Sequence, residues 1–312
     1  MKKAIPFFKY RYGYYIFSLV GIGILLGIAF FLNNGFKLGI DFQPGISMVV
    51  TVNNAPIDQV RATLADLPYR YTVQTSGGRD SQDFVIRAPI PGSKEDLLQD
   101  MEDKASQGLK TKFGEDNVNV LSVDYIGPSL SADLVVQTLT LILVVLLLMA
   151  IYITIRFRFG YAMGALLALI HDVLFTLGFI GAAGIELSTS VVAAILTLIG
   201  YSINDTIVVF DRIRESIRLK KDLKFSQILD ESITQSLSRT IVTSLTTLLV
   251  VVVLAVVTDG DVRNFSLTLL FGIIVGTYSS ITIASQILPA FKTVRRDVVS
   301  EQQTYVKAQA KV

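Results

Sequence analysis

The chain has 312 residues, 51% of them hydrophobic and 17% charged, with a mean hydropathy of +0.55. That balance excludes an ordinary soluble domain and points to an integral membrane protein. The net charge of +2 says little about partners, no motif points to nucleic acid, and the absence of cysteine excludes disulfides, thiol chemistry and Cys-based metal sites.

A hydrocarbon core about 30 Å thick takes about 20 apolar residues per helix. Six stretches approach that length: 14–32, 134–155, 161–183, 189–210, 240–257 and 265–289. Residues 1–13 precede the first span and carry Lys2, Lys3, Lys9 and Arg11. Span 1 is too long for a typical signal-peptide core, and "FLNNGFKLGID" offers no small-residue cleavage site, so it is read as a retained anchor.

Residues 33–133 form a domain on the far side of the membrane. "ISMVVTV" reads as a strand, "PIDQVRATLADL" as a helix and "YRYTVQT" as a second strand. "SGGRDSQ" turns into the strand "DFVIRAPI", "SKEDLLQDMEDKASQGLKTKFG" is a helix, and "NVNVLSVDYI" is the last strand. The order βαββαβ predicts a ferredoxin-like α+β fold. Such a fold hosts many functions and names none.

After Gly127 and Pro128 come the five remaining spans, joined outside by "GIELS" and "TDGDVRN". Gly23 with Gly27, Gly160 with Gly164, and Gly272 with Gly276 have the spacing of close helix contacts. In the connection 211–239, Phe225, Leu229, Ile233 and Leu237 recur every four residues, which predicts an amphipathic helix along the inner surface, read first as an interfacial lead-in to span 5 and second as a partner-binding helix. The nearby "RIRESIRLKKDLK" reads first as retention by anionic membrane lipid and second as a docking surface for another protein. Basic residues gather on one side, including Lys292, Arg295, Arg296, Lys307 and Lys311 in the tail 290–312. The two short outer loops hold only Arg263, so both termini are expected in the cytoplasm.

Few ionisable groups fall within the spans: His171 and Asp172 on span 3 and Asp205 on span 4, with Arg239 at the mouth of span 5. Such residues normally face a bundle interior or water, pair with one another, and mark ion or proton paths. Burial and a nearby Arg act in opposite senses on Asp205, which suits a carboxylate that loads and unloads a proton. Pairing with Arg239 is expected, either as a static salt bridge or as part of a proton relay. Thr240, Thr243, Ser244 and Thr247 form a polar stripe beside Arg239, and Asn204 adds a neighbouring amide. The stripe reads as the lining of a thin water file, with ordinary interhelical bonding as the alternative. His171 is the only histidine, and it is either a titrating group or a neutral side chain bonded between helices. One histidine with scattered carboxylates lacks metal-ligand spacing, and no constellation of nucleophile, base and oxyanion donors points to an enzyme.

The run "LIGYSINDTIVVFDRIRE" resembles the signature of the SecF family of protein-export membrane subunits, related to the resistance-nodulation-division transporters. "LGIDFQPG", "YIGPSLSADL", "LIHDVLFTLG" and "LSRTIVTSLTTLL" follow that family's pattern in its order. The resemblance implies a six-span subunit of the bacterial inner membrane. It would pair with SecD, associate with the SecYEG translocon, have YajC as a further candidate partner, and use proton-motive force to draw the exported preprotein outward, with no cofactor. By motif position Asp205 and Arg239 match family residues tied to proton movement, and His171 and Asp172 match a characteristic pair. The junction motif Gly39, Asp41, Phe42 and Gly45 departs from the pattern at Pro44, where the family carries Gly. A Pro there stiffens the chain, and Asp41 and Gly45 read chiefly as a structural turn. Two other functions remain open: a proton-coupled exporter of small molecules or lipids from the same superfamily, and a passive assembly subunit of the translocon.

Overall fold

The computed structural model describes residues 4–76, 81–90, 97–294 and 299. Lys2, Lys3, the tail cations Arg295, Arg296, Lys307 and Lys311, most of the "SGGRDSQ" turn and the start of the helix expected at "SKED" lie outside the described residues. Six helical segments are long and apolar enough to cross a membrane: Phe8–Leu32, Ser129–Arg156, Phe159–Ala183, Thr189–Leu219, Phe225–Val257 and Gly260–Ala290.

The first segment comprises a 3-10 turn, α1 (Arg11–Gly27) and a π-helical turn, Ile28–Leu32. It starts earlier than the hydrophobic pattern predicts because side chains of a later helix satisfy its first amides. Asp230 Oδ1 accepts from Phe8 N at 2.7 Å, and Thr234 Oγ1 accepts from Ile5 N at 3.0 Å.

The inserted domain runs β1 (Gly45–Val52), α2 (Ile57–Ala65), β2 (Thr72–Thr75), β3 (Asp83–Pro89), α3 (Leu97–Phe113) and β4 (Val118–Ile126). Its four strands pair antiparallel throughout in the order β2-β3-β1-β4. Alternation in β1 buries Ile46, Met48, Val50 and Val52 on one face, against Val60 and Leu64 of α2 and Met101, Ala105 and Leu109 of α3. The core of this domain is separate from that of the helical bundle.

The remaining helices are α4 (Pro128–Arg156), α5 (Phe159–Ala183), α6 (Thr189–Leu219), α7 (Phe225–Val257) and α8 (Gly260–Ser279), the last continued by a π-helical turn, Ser280–Ala284. Pro128 opens α4 six residues before the apolar run, a position where its missing N–H costs nothing. α5, α6 and α8 bury more than half of their most apolar windows inside the chain, whereas α4 buries none of its own.

The segment expected as an amphipathic lead-in to span 5 is the first part of α7, continuous with that span, and its apolar face is covered by the bundle. Ile228, Leu229 and Ile233 pack in the same core as Ile213 and Ile217 of α6, so the four-residue repeat records helix packing. The glycine pairs divide as well. A Cβ on Gly272 or Gly276 would press on Leu198 or Ser202 of α6 at 2.8 and 3.0 Å, and Gly160 and Gly164 meet the chain that follows α8. Gly23 and Gly27 have open space around them and make no close contact; Gly21, beside Phe175, takes that role in α1.

Candidate functional site: two buried carboxylates and an outer junction

Asp172 on α5 is 1% exposed, and three groups converge on it. Ser202 of α6 donates to Oδ2 at 2.5 Å, Ser279 of α8 donates to the same oxygen at 2.8 Å, and His171 Nδ1 lies 2.9 Å from Oδ1. Gly276 makes this possible, because any side chain there would separate α8 from Ser202. With Nδ1 against the carboxylate, His171 Nε2 is buried and has no hydrogen-bond partner among the described residues. The imidazole sits beside Phe175 and Tyr278, and the Tyr278 hydroxyl bonds back to Ser18 and the Tyr14 carbonyl of α1.

Asp205 on α6 is 3% exposed and more thinly held. Ser244 of α7 donates to it at 3.3 Å and shares a 2.7 Å hydrogen bond with Thr277 of α8. The ion pair expected with Arg239 is not formed among the described residues. Helical geometry gives the reason: Arg239 lies five residues before Ser244, about 140° around α7, so one faces outward when the other faces Asp205. Arg239 and Asn204 are both exposed. The polar stripe splits in the same way, with Thr240 and Ser244 buried, Thr247 half-buried and Thr243 exposed. Thr243 and Thr247 bond to carbonyls of their own helix. Of the four, Ser244 is the one whose hydroxyl the structure hydrogen-bonds to Asp205.

Sequence reasoning missed Ser202, Thr277, Tyr278 and Ser279. The signal was present, because "GTYSSITIAS" in span 6 is as rich in hydroxyls as the stripe in span 5. Among the described residues, no group of three or more His, Asp or Glu is placed to hold a metal ion.

The junction residues lie outside these two sites and tie span 1 to α6. Gly39 N donates to Leu187 O at 2.7 Å, and Leu187 N donates to Lys37 O at 2.8 Å. A Cβ on Gly39 would sit 2.8 Å from Leu187 O, so the approach needs glycine. Asp41 Oδ2 accepts from Thr189 N at 2.8 Å and from Thr189 Oγ1 at 2.9 Å, placing a negative charge on the first turn of α6. Asp41 is therefore more than a turn residue. Phe42 is buried, and Gly45 opens β1 where a Cβ would collide with Ala88 O. Pro44 gives up no bond, since its carbonyl accepts from Ile90 N at 2.8 Å. Arg87 of β3 completes the junction with two bonds, of 2.8 and 3.2 Å, to Asp261 in the first turn of α8.

A bundle of six helices able to cross a membrane, with buried carboxylates and a small antiparallel domain fastened to the helix ends on one side, defines a multi-pass membrane protein. The description "Protein export membrane protein SecD/SecF, C-terminal" matches residues 106–294, and "SecD/SecF GG Motif" matches residues 29–56. The protein translocase subunit SecF of Rhodothermus marinus is 37% identical over 291 residues, covering 91% of this chain and 92% of that protein. The SecF of Borreliella burgdorferi is 35% identical over 292 residues, covering 92% and 97%. The crystal structure of SecDF, a translocon-associated membrane protein from Thermus thermophilus, superposes with a TM-score of 0.77 at 29% identity. It covers 94% of this chain, which spans 39% of that longer one. The chain belongs to the SecD/SecF family of protein-export membrane proteins.

Proposed function

We propose that this chain acts as a SecF-type subunit of the Sec protein translocation machinery in the bacterial cytoplasmic membrane, with both termini inside. It pairs with SecD and uses proton-motive force to promote late export of preproteins through SecYEG, with YajC as a further candidate partner. The likeness to SecDF supports the SecD pairing. So do Asn204 and Arg239, exposed at the level of the bundle where lipid is a poor neighbour for an amide and a guanidinium.

The observation that carries the proton-driven reading is the position of Asp205. It is buried between three helices on one 3.3 Å hydrogen bond from Ser244, beside an Arg239 that does not pair with it. A carboxylate so lightly committed can change protonation without dismantling a network. Protonating it would remove a charge from the contact of α6, α7 and α8, and α6 and α8 are the helices whose outer ends hold Asp41 and Arg87. We read the outer domain as ferredoxin-like, from its element order and from the sheet order β2-β3-β1-β4. It would then move with those helix ends. One proton crossing 100 mV supplies about 2.3 kcal/mol, enough to shift a balanced two-state element more than tenfold.

The test is preprotein export into inverted vesicles, with and without a protonophore, comparing wild type with Asp205→Asn. The expected result is loss of the proton-dependent component alone. Full proton-dependent export by Asp205→Asn would sink the reading and favour a passive assembly role. Depletion that leaves precursors unaccumulated but alters drug or lipid efflux would favour the exporter.

A further inference from the structure

On the side of the bundle away from the inserted domain, one face of α6 carries Asp211, Arg214, Glu215, Arg218 and Leu219, at helical spacing. Together with Arg156 at the end of α4 they line an open cavity of about 390 Å³. Two ion pairs are already formed here: Arg156 with Asp211 at 3.0 Å, and Glu215 with Arg212 at 2.5 Å. Arg214 and Arg218 form no ion pair among the described residues. They and Arg158, at the start of α5, are close enough to Tyr161 for all three charges to act on it. Among the described residues, five arginines and two carboxylates share this corner, and the N-terminus of α5 adds its positive dipole end.

Leu219 lines the cavity, and two further exposed apolar residues are sequence neighbours of the arginines at this corner. Ile155 is 82% exposed, Phe159 59% and Leu219 70%, and each stands next to a charged or cavity-lining residue at the end of an apolar helix. A soluble anion needs the arginines alone. A ligand with an anionic head and hydrocarbon tails uses both features.

We propose that Arg214 and Arg218 form a headgroup site for a single anionic phospholipid, with its acyl chains against Ile155, Phe159 and Leu219. Arg156, held by Asp211, borders the site and keeps the end of α4 beside it. The site fastens the α4–α5 turn to the long inner extension of α6. The inference goes beyond the export reading, because it requires only that α4, α5 and α6 cross a membrane.

The experiment is native mass spectrometry of the full chain released from micelles containing equal amounts of phosphatidylglycerol and phosphatidylcholine. Wild type is expected to retain phosphatidylglycerol preferentially. Each arginine contributes about a fivefold preference, so Arg218→Gln should lower it by about that factor and Arg214→Gln with Arg218→Gln should nearly abolish it. Arg263→Gln, on the opposite side, should leave it unchanged. Equal retention of the two lipids by wild type would overturn the proposal without any variant, as would a preference left undiminished by Arg218→Gln, an exposed position whose substitution leaves the core intact. Displacement of the lipid by millimolar glycerol phosphate would show a site for a free phosphate anion and overturn the lipid assignment.

Discussion

The two intramembrane carboxylates sit about nine helical turns apart in sequence, yet both serve helix contacts built around α6 and α8, and they are held in opposite ways. Asp172 is closed in by two serine hydroxyls and an imidazole from α5, α6 and α8. Asp205 has one longer bond from a serine that is also engaged elsewhere. A buried carboxylate held by several converging donors is fixed in one arrangement, whereas one held by a single long bond leaves alternatives close in energy. On the proposed reading, Asp172 would hold the bundle together and Asp205 would let it change.

The strongest way to break that comparison is to remove each carboxylate and measure unfolding in detergent. Asp172→Ala strips the shared acceptor from Ser202 and Ser279 and is expected to cost about 2–3 kcal/mol. Asp205→Ala is expected to cost less than about 1 kcal/mol, since a single interhelical hydrogen bond in a membrane protein averages about 0.6. Equal losses would remove the distinction.

The sequence showed the six spans, the order of the inserted domain's elements and all four charged residues of interest, because hydropathy and ionisable residues are local signals. It misjudged what those residues touch. Arg239 and Asp205 seemed paired because their depths match, but depth is set by sequence position and facing by 100° per residue. Ser279 was passed over because a lone hydroxyl in a membrane helix usually bonds to its own backbone, and nothing local says that Gly276 lets α6 come near enough for it to reach Asp172. The role of Asp41 was equally hidden, since its partner Thr189 is 148 residues away.

That outer tether offers a smaller test of whether the domain and the bundle act as one. Asp41→Ala removes a charge-assisted bond to the first turn of α6 and is expected to cost about 1 kcal/mol, with Asp41→Asn recovering part of it. Hydrogen exchange should then rise first in the opening turn of α6, at Thr189 and the residues after it. A smaller change is expected from Asp261→Asn, which leaves Arg87 with a neutral partner. A double-mutant cycle with Arg87→Gln should give a coupling of about 0.5–1 kcal/mol, because the pair is only partly buried. Protection unchanged in both experiments would mean that the inserted domain is docked by other contacts.

The smallest expected effect comes from Glu186, in the outer turn between α5 and α6, and it has a definite sign. Burial pushes its carboxyl above the ordinary glutamate range, opposed by the charges of Arg87 and Lys37 and reinforced by Asp261. A carboxyl raised on folding binds its proton more tightly in the folded state, so its contribution is present at low pH. That contribution is lost as pH rises from the ordinary glutamate value through the raised one. The junction should therefore be slightly tighter on the acidic side of that window. Glu186→Gln, which mimics the protonated form, is expected to stabilise the fold at neutral pH by less than about 1 kcal/mol and to flatten the dependence across the window. Thermal unfolding of the two proteins between pH 4 and pH 7 reads both effects, and a variant that is less stable at pH 7 would show that the Glu186 charge is instead useful to Arg87. In that case the bond from Arg87 to Asp261 would have to be treated as one part of a three-residue cluster, and the coupling measured for the pair alone would overstate it.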